Sequence, residues 1–142
     1  MNRPVIDEAT ELGARAAHRL REESVVWLTT VTPAGAPLPR PVGFLWDGGE
    51  SVAIYSQPGA RVRNIAANPR VALHFDGDGR GGDVVVLSGM ARIDQDAPPA
   101  DAWPAWLRKY AAQIEQFRMT PAAYAERFSV PIRITLSRLD GR

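Results

Sequence analysis

Short runs of β-branched and aromatic residues, separated by turns that contain glycine or proline, dominate the hydrophobic pattern of the chain. Runs of this length and composition predict β-strands. The predicted strands are residues 25–31, 41–46, 51–56, 71–75, 83–93 and 130–139. Because they follow one another through short turns, such as residues 33–35 and 47–49, we expect antiparallel pairing.

Other segments have hydrophobic residues at helical spacing. Residues 7–23 carry one apolar face and predict a helix that Asp7 can cap. A shorter helix is expected after Pro121. A longer helix over residues 101–117 is predicted from an apolar stripe of Trp103, Trp106, Leu107, Tyr110, Ile114 and Phe117. Large aromatics of this kind usually pack in a core or an interface, and we expect that role here rather than a stacking platform.

Six predicted strands with only peripheral helices define the expected fold class. A chain of 142 residues that is 45% hydrophobic has enough apolar material for one core, so residues 1–142 are expected to form a single domain. The expected class is mainly β (α+β), a six-stranded antiparallel β-barrel that is closed or partly closed. The continuous apolar run Val84–Leu87 predicts cover on both faces of the fifth strand.

Charge and composition narrow the classes of function. The 17 basic and 16 acidic residues nearly cancel, to a net charge of +1, which argues against a broad nucleic-acid or membrane-binding surface. The absence of cysteine excludes disulfides, thiolate metal sites and thiol nucleophiles. The N-terminal segment has no apolar signal core, and no apolar run is long enough to span a membrane, so we expect a cytoplasmic protein.

The segment from Tyr55 to Arg70 carries the strongest functional signal. It contains a strand end, a turn of small residues, a helix start with Arg61 and Arg63, and a helix stop at Asn68–Pro69. Free N–H groups and the helix dipole favour an anion at a helix start, and arginine binds phosphate or carboxylate with a planar pair of donors. We interpret the segment as an anion site; a solvated basic helix start is the alternative.

No side chain is identified as a catalytic acid, base or nucleophile, so the catalytic residues are left unknown. His18 and His74 have no partner ligand at metal-binding spacing, and no metal site is predicted. The loop Asp76–Asp83 resembles a calcium loop only superficially, because Arg80 stands where an oxygen ligand belongs. An enzyme with such a sequence generally leaves the chemistry to a bound cofactor.

Several motifs follow one another in a characteristic order. They are residues 27–35, Arg40-Pro41-Val42 through Leu45-Trp46, residues 55–61, Asn64, residues 68–70, Trp106-Leu107, Lys109-Tyr110 and residues 130–134. In this order the chain resembles the split β-barrel flavin-binding family, which includes pyridoxamine phosphate oxidase and the actinobacterial F420-dependent reductases. The small PPOX-class, F420-dependent branch is the most similar. The resemblance implies a barrel of the FMN-binding split type.

The resemblance also implies the residues of a cofactor site. Arg61 stands where the family places a Lys or Arg on the cofactor phosphate, and residues 55–57 line the phosphate and the ribityl chain. Residues 41–43 back the ring system, while Arg63 and Asn64 face the phosphate or the tail beyond it. The implied cofactor-binding set is Pro41, Val42, Gly43, Tyr55, Ser56, Gln57, Arg61, Val62, Arg63 and Asn64.

As function, the resemblance implies hydride transfer from reduced deazaflavin F420 to a small organic electrophile. It also implies a homodimer with the cofactor in a groove between the subunits. Neither nucleic acid nor a membrane is expected as a partner, because the charges of the chain nearly cancel. Two alternatives stay open: an FMN-dependent oxidoreductase on the same fold, and a non-catalytic carrier of F420 or FMN. Vitamin B6 chemistry is disfavoured, because Val84 stands where the pyridoxamine phosphate oxidases have a ring-contacting Gln. Their C-terminal substrate-binding Arg and His pattern is also missing.

Overall fold

The computed structural model describes residues 3–142, which form seven strands, four α-helices and one 3₁₀ turn. The helices are α1 (Glu11–Glu22), α2 (Ala60–Ala67), α3 (Pro104–Gln116) and α4 (Pro121–Arg127), and the 3₁₀ turn is Ala100–Ala102. The strands are β1 (Val26–Val31), β2 (Pro37–Val42), β3 (Leu45–Trp46), β4 (Ser51–Ser56), β5 (Arg70–His74), β6 (Val85–Ile93) and β7 (Val130–Gly141). None of the helices in this part of the chain is long and apolar enough to cross a membrane.

All seven strands belong to one sheet with the order β2-β1-β5-β6-β7-β4-β3. Every neighbouring pair is antiparallel, as predicted. The β6–β7 pair carries a register shift at Ser88/Gly89, which bends the sheet. Glycine is needed at this bulge, because a Cβ on Gly89 would lie 2.7 Å from the carbonyl oxygen of Thr135.

The chain itself closes this sheet into a barrel. β2 lies at one edge of the sheet and β3 at the other, yet only Gly43 and Phe44 separate the two strands in sequence. Three residue steps, from Val42 to Leu45, span about 11 Å at most. The two edges of the sheet must therefore come together at Gly43 and Phe44, which we call the seam. The predicted class, an antiparallel split barrel with peripheral helices, is confirmed.

The prediction of one second strand over residues 41–46 is wrong, and the seam is the reason. Pairing with β1 runs from Pro37 to Val42, and pairing with β4 begins at Leu45. Because the seam carries the chain from one edge of the sheet to the other, the segment cannot stay in a single strand. The barrel consequently has seven strands rather than the six that were predicted.

Proline at alternate positions hid the start of β2 in the sequence. Pro37, Pro39 and Pro41 all lie in this strand, although proline normally counts against strand structure. They are tolerated because β2 is an edge strand, in which the N–H groups of alternate residues point away from the neighbouring strand. An edge without those donors resists pairing with another strand.

The main core lies inside the curled sheet and under α1. Alternate residues of β7, namely Ile132, Ile134 and Leu136, are buried there as the sequence pattern predicted. In β6, Leu87 is fully buried, whereas Val86 beside it is only half-buried. Within one chain the predicted cover on both faces of this strand is therefore only partial, because the apolar run alternates between an inner and an outer face.

Two helix starts differ from the predictions. Thr10 caps α1 with its side chain, whereas Asp7 lies in the turn that precedes this helix. Residues 101–117 do not form one helix, because α3 begins at Pro104 and Trp103 before it is extended. Proline favours the first helical position and drives the preceding residue toward extended backbone.

A second, aromatic core joins α3 and α4 to the sheet. Trp106, Tyr110 and Ile114 of α3 are buried together with Tyr55 and Tyr124. The rings of Tyr55 and Trp106 pack edge to face, with centroids 4.7 Å apart. The predicted core role is confirmed for Trp106, and Trp103 is partly buried against the same cluster.

Candidate functional site

A cavity of about 630 Å³ opens beside the seam. Its walls come from β2 and the seam, the C-terminal end of β4, the turn before α2, and the helices α3 and α4. Seven predicted site residues line it: Pro41, Val42, Gly43, Tyr55, Ser56, Gln57 and Arg61. The fold therefore brings together two segments, residues 41–43 and 55–61, that the sequence separates.

One end of the cavity is built to receive an anion. The turn Gln57–Ala60 leads from β4 into α2, and Gly59 precedes the first residue of this helix. No side chain caps the start of α2, and no acidic residue lies in its first turn. The first N–H groups of the helix thus keep their positive potential for a ligand.

Arg61 is held at this end without a carboxylate. Its Nη1 donates a hydrogen bond to Ser56 Oγ at 2.9 Å, and that hydroxyl donates in turn to the carbonyl oxygen of Gln57 at 2.8 Å. The side chain of Ser56 is fully buried. Since the chain of bonds ends on a backbone oxygen, the positive charge of Arg61 is not neutralised within the described residues.

A second arginine, Arg40 on β2, lines the same cavity. Burial lowers the pKa of Arg61, and the positive charge of Arg40 lowers that pKa further. Both effects disfavour the charged guanidinium, and the attraction of a bound anion would offset them. Arg40 was not among the site residues predicted from the sequence. Strand alternation was the available signal, because Leu38, Arg40 and Val42 all line the cavity.

Three predicted site residues lie outside the cavity. Arg63 is exposed, since positions two residues apart on a helix point to different faces. Asn64 is buried in the body of the barrel, where its Nδ2 donates to Thr30 Oγ1 at 3.0 Å. Val62 is half-buried and also does not line the cavity. Within one chain, Arg61 alone of these helical residues reaches the cavity.

Aromatic side chains make up a second part of the lining, which we call the aromatic end. Its lining includes the rings of Tyr55, Tyr110, Phe117, Tyr124 and Phe128. Burial raises the pKa of Tyr55 to about 12, and its hydroxyl donates to the carbonyl oxygen of Pro98 at 2.5 Å. Burial also raises the pKa values of Tyr110 and Tyr124. Among the described residues, no Asp, Glu or His lines the cavity.

Helix α3 holds the seam through two adjacent side chains. The phenol oxygen of Tyr110 accepts a hydrogen bond from the Phe44 N–H at 2.6 Å and lies 2.9 Å from the Ser24 carbonyl oxygen. Lys109 Nζ donates to the carbonyl oxygen of Phe44 at 2.8 Å and lies 3.6 Å from the centroid of its ring. Burial lowers the pKa of Lys109 to about 8. Both residues belong to the motifs of the family resemblance, but no function was predicted for either from the sequence.

The carboxylates of the glycine-rich loop before β6 bind other groups of the protein. Asp78 accepts the backbone N–H groups of Arg80 and Gly82, which lowers its pKa. Asp83 pairs with Arg15 at 3.2 Å and with Arg19 at 2.7 Å. The loop is thereby tied to α1, on a different part of the surface from the cavity.

The curled antiparallel sheet, its seam and the cavity beside it define a split β-barrel protein. The family model for pyridoxamine 5'-phosphate oxidase matches residues 12–131, and the chain belongs to that family. No curated protein matches the chain.

Solved structures of the same fold differ in what they bind. The chain is similar to an F420 reductase, with 23% identity and a TM-score of 0.63 over 88% of this chain and 95% of that one. It is also similar to an FAD-binding protein from Mesorhizobium loti, with 20% identity and a TM-score of 0.65 over 89% of this chain and 90% of that one. A third similar structure is the heme storage protein HutZ from Vibrio cholerae, with 17% identity and a TM-score of 0.61 over 93% of this chain and 95% of that one. At these identities the similarity establishes the fold.

Proposed function

We propose that this chain is an oxidoreductase that uses reduced F420 to reduce a small organic electrophile by hydride transfer. One observation carries the proposal: among the described residues, the cavity is lined by two arginines, five aromatic side chains and no carboxylate. A planar ring with an anionic tail suits such a cavity better than a neutral metabolite does. The F420 reductase among the similar structures supports the choice of cofactor.

The charges of the cavity favour F420 over FMN. Arg61, Ser56 and the start of α2 offer donors for one phosphate group. Arg40 then remains for a second negative group. FMN has only its phosphate, whereas F420 has a phosphodiester and a glutamate tail. Arg40 thus takes the place that the sequence-based proposal gave to Arg63 as the second cation.

The aromatic end would receive the ring. When bound, F420 supplies a hydride from C5 of its ring. The chain contributes binding, orientation and the exclusion of water from an apolar pocket, for which Val42, Tyr55 and Tyr110 are placed. Since none of the described side chains that line the cavity is an obvious acid or base, the accompanying proton would come from water or from the substrate.

A homodimer with the cofactor between the subunits is part of the proposal. Val25 and Phe117 line the cavity and are 43% and 56% exposed, which is unusual for large apolar side chains at a ligand site. A second copy over the cavity mouth would cover them. Light scattering at micromolar concentration tests this part: a dimer is expected, and a monomer would contradict it.

A non-catalytic carrier is the second candidate function. The absence of an acid or base among the described residues that line the cavity suits a carrier as well as a hydride-transfer enzyme. One similar structure, HutZ, is described as a heme storage protein, which is a role without turnover. The carrier proposed here would hold F420 or FMN.

The deciding experiment combines binding with turnover. The purified protein is titrated with F420 and with FMN under fluorescence detection, and reduced F420 is then mixed with enones, quinones and tetrapyrroles. Tight F420 binding with oxidation above the protein-free rate supports the proposal. Equal or tighter FMN binding would shift the function to an FMN-dependent oxidoreductase. Tight binding without turnover would favour the carrier.

A further inference from the structure

The hydroxyl group of Tyr110 stands inside the ladder between β1 and β2. The last pair of this ladder is Val26 with Val42, and the same register sets Ser24 opposite Phe44 two residues further on. In a continuing antiparallel ladder, the Phe44 N–H would donate directly to the Ser24 carbonyl oxygen. Instead, the Phe44 N–H donates to Tyr110 Oη at 2.6 Å, and that hydroxyl lies 2.9 Å from the Ser24 oxygen. One phenol oxygen thus replaces one backbone hydrogen bond.

The neighbouring lysine determines which way the phenol donates. Tyr110 has a single hydroxyl proton, and the carbonyl oxygens of Ser24 and Phe44 both lie 2.9 Å away. Lys109 Nζ already donates to the Phe44 oxygen at 2.8 Å. The phenol therefore donates its proton to the Ser24 carbonyl oxygen, which completes a hydrogen-bonded bridge from Phe44 through Tyr110 to Ser24.

This bridge shapes one wall of the cavity. Val25 and Gly43, the pair between the last ladder bond and the bridge, both line the cavity. Gly43 packs directly on the phenol, since a Cβ on this residue would lie 3.2 Å from Tyr110 Cζ and from its hydroxyl oxygen. A direct bond between Ser24 and Phe44 would draw the two strands together at this point and narrow the opening between them.

We propose that Tyr110 is a positioning residue that holds the β1–β2 ladder open and sets the Gly43 peptide at the ring-binding end of the cavity. Lys109 supports it by occupying the Phe44 carbonyl group. The role deepens the function proposed above and rests on it for the identity of the ring. The opening of the ladder itself is a property of the ligand-free protein.

The first experiment tests the ligand-free protein. Backbone amide signals of isotope-labelled wild type are compared with those of Tyr110→Phe, which removes only the bridging oxygen. We expect the largest changes at residues 24–26 and 42–44. Trp46→Phe serves as the matched control, because it removes a 2.8 Å hydrogen bond to the Gly49 carbonyl in the β3–β4 hairpin, outside the cavity. Its changes should centre on the β3–β4 hairpin and on Arg21, which lies over the Trp46 ring, rather than on residues 24–26 and 42–44.

The second experiment separates the two ends of the cavity with riboflavin and FMN, which differ by the phosphate group. Tyr110→Phe should weaken both ligands by the same factor, about tenfold, because it shifts the Gly43 peptide against the ring that both ligands share. Their affinity ratio should stay unchanged. Arg61→Ala should weaken FMN and spare riboflavin. Gly43→Ala should resemble Tyr110→Phe, and the double variant should lose less than the two single losses combined.

The outcomes distinguish the positioning role from the proposed function. If Tyr110→Phe keeps the wild-type amide signals at residues 42–44, the positioning role is overturned, whatever the ligand. If those signals move while riboflavin affinity is unchanged, Tyr110 opens the ladder, but its role at the ring-binding end is overturned. If wild type binds no flavin and no F420, the proposed function fails, and the amide signals alone then decide whether Tyr110 opens the ladder.

Discussion

Arg61 and Ser56 form a hydrogen bond of 2.9 Å that fixes a cation at the end of a cavity without neutralising it. A carboxylate would have fixed the arginine as well, but it would also have cancelled the charge. A buried hydroxyl that donates onward to a backbone oxygen orients Arg61 and leaves its remaining donors free. Substitution of Arg61 is therefore the most direct test of whether this end of the cavity binds an anion.

Arg61→Ala should weaken F420 binding by about ten- to hundredfold, the range expected for one charge-assisted hydrogen bond of about 1.5–3 kcal/mol. The thermal stability of the ligand-free protein should hold, because the pKa of Arg61 is lowered by burial and the arginine has no acidic partner to lose. Fluorescence titration and thermal melting measure the two quantities.

Arg63→Ala is the matched control for that variant, since it removes the same side chain two residues further along the same helix. We expect little change in affinity, because Arg63 is exposed and lies outside the cavity. An equal loss for both variants would show that Arg63 reaches the cofactor from a second copy of the chain.

The two arginines show what the sequence could and could not predict about the site. A basic helix start after a small-residue turn was sufficient to predict Arg61, because the signal is local. Arg40 belongs to the site through the pairing of β2 and the closure of the barrel, which no local pattern reports. Asn64 looked available on the helix, yet its amide is used by Thr30 inside the barrel.

Arg40→Ala should distinguish the two candidate cofactors. If Arg40 binds the second negative group of F420, its removal should weaken F420 about tenfold and FMN much less. The same variant should reduce the dependence of F420 affinity on salt, because one exposed cation no longer contributes. Titrations with both cofactors at low and high salt measure this, and equal losses for FMN and F420 would contradict the assignment.

Gly59→Ala should damage both the fold and the site. Gly59 has φ +153° and ψ −153°, a backbone conformation that is essentially restricted to glycine. The strain of another residue there is about 1–3 kcal/mol, and its relief would move the turn that opens α2. We therefore expect a lower free energy of unfolding in urea together with weaker cofactor binding.

Gly35→Ala provides the control for that prediction. Gly35 has φ +88° in the turn between β1 and β2, away from the cavity. It should lose a comparable part of the free energy of unfolding and keep the wild-type affinity for cofactor. Unchanged binding in Gly59→Ala would show that the start of α2 does not hold the anion.

The seam marks the limit of strand prediction in this chain. Residues 41–46 have the composition of one strand, and the alternation of apolar residues continues through them. Only the sheet order shows that the segment must change edges after Val42. The hydrogen bonds from Tyr110 and Lys109 that hold Phe44 come from more than sixty residues away, which no window of sequence covers.

Lys109 should make stability depend on pH in the alkaline range. Burial lowers its pKa from 10.5 to about 8 in the folded protein. Between these values the unfolded chain binds more protons than the folded one, so the free energy of unfolding should rise with pH. Relative to Lys109→Met, wild type should gain stability from about pH 8 to pH 10 and show a constant difference below pH 7.

Urea unfolding of both proteins across this range measures that difference. The raised pKa of Tyr55 lowers stability above its unfolded value of 10, since the folded state then holds the extra proton, but it does so equally in both proteins. A difference that falls as pH rises would show that Lys109 is stabilised as the cation, through the Phe44 ring and carbonyl group.

The pH dependence of the turnover rate, measured with reduced F420, separates an enzyme from a carrier. The titratable side chains that line the cavity are arginines and buried tyrosines, and burial raises the pKa values of those tyrosines. With reduced F420 at saturation, an enzyme should therefore show a nearly flat rate between pH 6 and pH 9, because no lining group changes its charge there. Arg61→Ala should recover the wild-type rate once the cofactor saturates it, since its loss acts on binding alone.

A rate that changes with an apparent pKa near 8 and loses this dependence in Lys109→Met would instead give the lysine at the seam a part in proton transfer. If no acceptor is reduced faster than in the protein-free control while F420 still binds tightly, the carrier function replaces the enzyme.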